Sequence, residues 1–249
     1  MKITWDSLLD RIREKPLEQI GSFSPNFLST YFFGYELALS FHGKPPIPEG
    51  FSLADFNRWF YTTVYGGREG WASSCLLMTK SEEEALDLFF EFRRRAQESG
   101  WVNDEIYSSV ESSQNLSALE FIKSDAFHRR PAMYFGNASW MRSIWAFWSG
   151  YVWAENDIDV VNSRDNEVFL GFQEWLRKRH PLGQEANFGK LFDFLSLNGN
   201  EEALEIFDDH LELYLDGGAP DSHTKKFQSF LDKAVASALK HQAETTKSE

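Results

Sequence analysis

The segment DDHLE, with Asp208, Asp209 and Glu212, is the sharpest constellation in this chain for metal chemistry. On a helix, Asp208 and Glu212 stand four residues apart and share a face. Carboxylates so placed could hold Mg²⁺ against a diphosphate through hard oxygen ligands. That chemistry also needs a second acidic metal motif and basic partners for the diphosphate, and neither accompanies the first. The matching positions earlier in the chain are Phe90, Glu91 and Arg94, so the acidic set is not a shared feature of the sequence. A solvated acidic helix face is the simpler reading. No catalytic residue, metal ligand or cofactor is assigned, and a helical Mg²⁺-dependent enzyme stays as the alternative.

Other reactive types are scattered. His42, His128, His180, His210, His223 and His241 lack the i, i+4 pairing of ligand helices. Cys75, the single cysteine, lies in the apolar stretch WASSCLL and reads as a small buried residue. No glycine-rich phosphate loop occurs, since YGGREGW reads as a turn between helices. The basic runs Arg93–Arg95 and Arg177–His180 fall near helix C-termini, where cations complement the helix dipole.

Charge distribution is more informative. The 249 residues carry a formal net charge of −13, which argues against nucleic acid and anionic membrane surfaces and suits a basic protein partner. From Asp193 to Asp221 there are nine carboxylates and no Lys or Arg. Glu201, Glu202, Glu205, Asp208, Asp209 and Glu212 are therefore candidate partner-binding residues, with Glu155, Asp157 and Asp159 as a smaller patch after a Trp-rich helix. No apolar run reaches the length of a membrane span or a signal peptide, so a cytoplasmic location is expected.

The elements that must position these acids recur along the chain. FGY at Phe33, Gly34 and Tyr35 matches SGY at Ser149, Gly150 and Tyr151, an offset of 116. Phe56 and Trp59 match Phe172 and Trp175 at the same offset. Glu83–Phe90 matches Glu201–Asp208 at 118, and Pro16 matches Pro131 at 115. Ordered matches with so little drift indicate a tandem duplication. Helical periodicity runs through Trp5, Leu8, Leu9 and Ile12, and again through Phe27, Leu28, Tyr31, Phe32 and Tyr35. Ser52 with Asp55, and Ser81 with Glu84, form capping-box patterns ahead of the next helices. In the second half Trp140, Ile144, Trp148 and Val152, then Phe169 to Leu176, then Ala203 to Tyr214 repeat the plan. No strand-like alternation persists, and 42% hydrophobic residues, with 23 Phe and 9 Trp, demand a packed interior. The expected fold is all-α: two diverged copies of a helical module packed into one helical domain. The first module spans 1–107, a connecting segment 108–127, the second module 128–218, a C-terminal helix 219–242, and a frayed tail 243–249.

The run RRPAMYFGNASW, followed by FWSGY, FLGFQEWL and EEALEIF, resembles the helical immunity proteins of bacterial polymorphic-toxin systems. Arg130, Pro131, Met133, Tyr134 and Gly136 carry the R-P-x-M-Y-x-G element, and the match extends to about Leu215. It is looser from Leu17 to about Arg95, where that element reads KPLEQIGSF. The resemblance implies a cytosolic antidote that binds and blocks one cognate toxin; the acidity of the chain makes a non-enzymatic inhibitor of a basic toxin domain the expected function. A generic helical adaptor is the remaining alternative. No binding residue carries over by motif.

Overall fold

In a computed structural model, the described residues are 3–45, 47, 52–64, 70–100, 116–136, 138–160, 163–180, 187–196 and 198–219. Their regular structure is helical throughout, so the protein is all-α. The first six helices are α1 (Trp5–Glu14), α2 (Pro16–Gln19), α3 (Leu28–Phe41), α4 (Leu53–Thr63), α5 (Trp71–Leu77) and α6 (Glu82–Glu98). The short helices α7 (Ala118–Ile122), α8 (Asp125–Arg129) and α9 (Pro131–Phe135) follow. Four more complete the order: α10 (Trp140–Asp157), α11 (Arg164–Arg179), α12 (Phe188–Leu195) and α13 (Asn200–Leu215). None is long and apolar enough to cross a membrane. The expected helix over 219–242 from residue 220 onward, the tail over 243–249 and residues 108–115 of the connecting stretch lie outside the described residues.

Local chemistry sets many of these boundaries. Thr4 and Ser52 close full capping boxes on α1 and α4. Ser81 accepts from the Glu84 amide, but Glu84 turns back to the Lys80 amide instead of completing the box. Pro16 does not merely end α1; it opens α2 from the first-turn position that proline tolerates. Pro131 opens α9 in the same way. The residues before the two prolines share an unusual backbone, φ −139 and ψ 62 at Lys15 against φ −148 and ψ 56 at Arg130.

Two compact units result. The first contains Met1–Ala138 and Arg142–Phe169, the second Ser139–Met141 and Leu170–Glu249. The division does not fall in the linker-like stretch, because most of α10 belongs with α3. A Cβ on Gly34 would lie 1.9 Å from the carbonyl oxygen of Phe147, and one on Gly150 would lie 2.0 Å from that of Tyr31. The contact is reciprocal: each glycine meets the residue three positions before the other. Only glycine permits backbones this close. Around the crossing, Ser149 donates to the Gln19 carbonyl at 2.9 Å and Tyr31 donates to the Gln19 side chain at 3.0 Å. Arg11 grips Asp157 through two hydrogen bonds of 2.9 and 3.1 Å, and Tyr35 donates to the same carboxylate at 2.8 Å.

The first unit also packs Phe56, Trp59, Phe60, Trp71 and Phe89 into a buried aromatic cluster joining α4, α5 and α6. The second unit builds its own cluster from Phe172, Trp175, Phe188, Phe192 and Phe207 on α11, α12 and α13. Two pairs at matching sequence offsets have similar ring angles, whereas Phe56–Trp71 at 81° and Phe172–Phe188 at 53° differ. Phe56 meets Phe89 edge-on at 5.0 Å and 82°, and Phe172 meets Phe207 at 5.9 Å and 80°. Trp71 lies over Phe89 at 4.8 Å and 33°, and Phe188 over Phe207 at 5.7 Å and 33°. Each such side chain contributes roughly 1.5–3 kcal/mol by leaving water.

Two consequences can be measured. Gly34→Ala or Gly150→Ala forces a methyl group into a carbonyl oxygen, and either should destabilise the chain by about 3 kcal/mol, the upper end for overpacking, in urea unfolding. Wild-type stability in both would show that the helices do not cross there. Trp59→Ala and Trp175→Ala, at sites 4% and 7% exposed, should each cost about 3–5 kcal/mol.

Candidate functional site

Helix α13 carries the cation-free acidic stretch. Ala203, Leu204, Ile206, Phe207, His210 and Leu211 are buried along one side. That anchoring leaves Glu201, Glu205 and Glu212 exposed, with Glu202, Asp208 and Asp209 half-buried beside them. Gly199, at φ 90, turns the chain into the helix. Glu202 reaches back to the Asn198 amide at 2.9 Å, so it also steadies the entry to the helix. Helix α12 packs against α13, and Trp175 fixes the far end by donating to the Gly218 carbonyl at 2.8 Å.

The smaller patch expected at Glu155, Asp157 and Asp159 is corrected by the structure. Glu155 is 1% exposed and accepts from Ser163 and His42, the latter at 3.0 Å. Asp157 is committed to Arg11 and Tyr35. Asp159 alone is exposed, at a left-handed turn with φ 57 just after α10. The difference arises because, apart from Ser163, the partners of Glu155 and Asp157 come from α1, α3 and the turn after α3, more than a hundred residues away in sequence. Burial pushes the Glu155 carboxyl above its ordinary range, while the Ser163 and His42 hydrogen bonds pull it back. Asp165, also buried, is raised by the same cause and partly relieved by the Leu119 amide at 2.7 Å.

Among the described residues, no three His, Cys, Asp or Glu side chains converge to hold a cation. Asp208 and Glu212 flank His210, which points into the core, with its Nδ1 2.7 Å from the Ile206 carbonyl oxygen. Cys75 is buried and its thiol is pushed up to about 12 by desolvation, which opposes the nucleophilic thiolate. An open depression of about 400 Å³ in the first unit is lined by Asn26, Ser29, Asn57, Trp71 and Ser73, without an acid or base. Two surface residues that sequence reading passed over stand out: Leu77 is 74% exposed and Phe194 77%. They sit on α5 and α12, short helices that periodicity did not reveal.

No family model, curated protein or solved structure matches this chain.

The buried ionisable groups give stability two opposing pH limbs. Glu155 and Asp165 have raised values when folded, so their contribution is fully present below the ordinary carboxylate range and is lost as pH rises through the raised values. His210 is pushed down to about 3 by burial, so its contribution is present above the ordinary histidine range and is lost as pH falls below it. At roughly 1.4 kcal/mol per unit, His210 should cost about 2 kcal/mol by pH 5. Urea unfolding across this range should show His210→Phe flattening the acid limb and Glu155→Gln the alkaline one. An acid limb as steep in His210→Phe as in the wild type would refute the assignment to His210.

Proposed function

We propose that this chain is a non-enzymatic immunity or inhibitor protein that binds and neutralises a basic bacterial toxin domain in the cytosol. The observation that carries this reading is the outward face of α13. Its carboxylates line a helix held rigidly by its buried stripe, within a stretch of sequence that contains no Lys or Arg. A fixed face of one charge sign steers an oppositely charged protein toward it and favours the correct orientation on encounter. A cationic toxin domain meets that description, and the resemblance of Arg130 to Leu215 to immunity proteins points the same way. With Glu155 buried and Asp157 paired, the acidic patch after α10 reduces to Asp159, and α13 is the acidic face on which this reading rests.

The alternative of a Mg²⁺-dependent enzyme gains no support from the arrangement around Asp208 and Glu212. A binding role requires only the surface that α13 already presents.

Reversal of charge at Glu205, Asp208, Asp209 and Glu212 tests the face directly. Association with the toxin encoded beside this protein, followed by surface plasmon resonance, should slow by about tenfold or more at low salt. The difference should shrink as salt rises, because screening acts over about 8 Å at physiological ionic strength. The melting temperature should stay close to that of the wild type. An unchanged association rate would place the interface elsewhere and leave the acidity of α13 as a solubility feature.

A further inference from the structure

We propose that Leu77 and Phe194 are equivalent apolar anchors of two like docking surfaces, one in each compact unit, that receive basic, amphipathic segments of the protein partner. This deepens the reading above and rests on it. Isolated exposed hydrophobic residues are ordinary on protein surfaces. These two are not placed at random. Among the large hydrophobic residues described as exposed they are the most exposed, at 74% and 77%. They are also 117 positions apart, between the offset of 116 that relates Trp59 to Trp175 and the 118 that relates Phe89 to Phe207.

Their settings agree. Each lies near the C-terminal end of a short helix, α5 or α12, whose inward residues are buried: Trp71, Ser74 and Cys75 in one, Phe188, Leu191, Phe192 and Leu195 in the other. Each of these helices packs against the helix that follows it. That next helix opens on acids, Glu82, Glu83 and Glu84 in α6 and Glu201 and Glu202 in α13. Met78, 51% exposed, extends the apolar surface beside Leu77. A large apolar side chain a few residues ahead of such an acidic helix start, where Glu82 is shared with Arg142 and Ser22 but Glu83 and Glu84 are exposed, matches a segment that offers apolar residues on one side and Lys or Arg around them. The net charge of −13 disfavours a second copy of this chain as the occupant.

The probe is a synthetic amphipathic helix of Lys and Leu about five turns long, compared with a Lys and Ser peptide of equal charge. Isothermal titration should give tighter binding of the Lys–Leu peptide by about tenfold and two sites per chain. Leu77→Ala and Phe194→Ala should each remove one site, and the double variant should bind both peptides alike. All variants should keep the wild-type melting curve, because both side chains are mostly in water. A double variant that retains the full preference for Lys–Leu overturns the proposal, and loss of both sites on Phe194→Ala alone overturns the equivalence. The α13 charge-reversal variant separates the two ideas. Weaker binding of both peptides at the second-unit site supports the acidic face, whereas unchanged binding there, with the preference still lost in the double variant, leaves the anchors standing and removes the acidic face.

Discussion

The backbones of α3 and α10 touch where Gly34 faces Phe147 and Gly150 faces Tyr31, at a separation that admits no side chain at either glycine. Helices brought this close lose their freedom to rotate, since any turn about either axis drives a side chain into a carbonyl. The residues one turn away are then fixed in direction. Tyr35 reaches Asp157, Tyr31 reaches Gln19, and Arg11 closes over Asp157 from α1. Desolvation raises both tyrosine hydroxyls well above their usual values, so they stay protonated donors. The crossing also accounts for the boundary of the first unit, which takes in residues 142–169 although they lie far along the sequence.

Away from the crossing, stability comes from edge-to-face aromatic clusters more than from ion pairs. The clusters centred on Phe56 and Phe172 are wholly inside, and such ring contacts add about 0.5–1.5 kcal/mol each beyond area burial. Exposed pairs such as Lys15–Glu18 and Lys178–Glu174 contribute little. Carboxylates on α13 can accumulate without unfolding the helix because Phe207, Leu204 and Leu211 hold it by packing.

Sequence alone disclosed the helical class, since the periodic stripes of α1, α3, α6 and α13 are long enough for a 3.6-residue repeat to show. It also disclosed which face of α13 is wet, because burial of Ala203, Leu204, Phe207 and Leu211 leaves the acids no other side. It did not disclose α5 or α12. WASSCLL and FGKLFDFL span about two turns each, too short for apolar runs of helix and strand to be told apart. The recurrence held the missing information: Trp71 and Phe188 are 117 apart, in line with the flanking matches. Glu155 was misplaced for a different reason. Its neighbours in sequence are acids and aromatics, whereas the groups that draw it inside are His42 and Ser163, and a one-dimensional reading cannot show that His42 is there.

The central claim is that the chain acts by occupying its partner and not by turning anything over. Titrating the purified protein into its proposed partner, a basic toxin domain, while following toxin activity, tests this most directly. Stoichiometric occupation predicts a linear fall in activity to an end point at a fixed molar ratio, with the partners co-eluting as one complex. Loss of activity at far below equimolar protein, growing with incubation time and without a stable complex, would contradict the account and make the chain an enzyme.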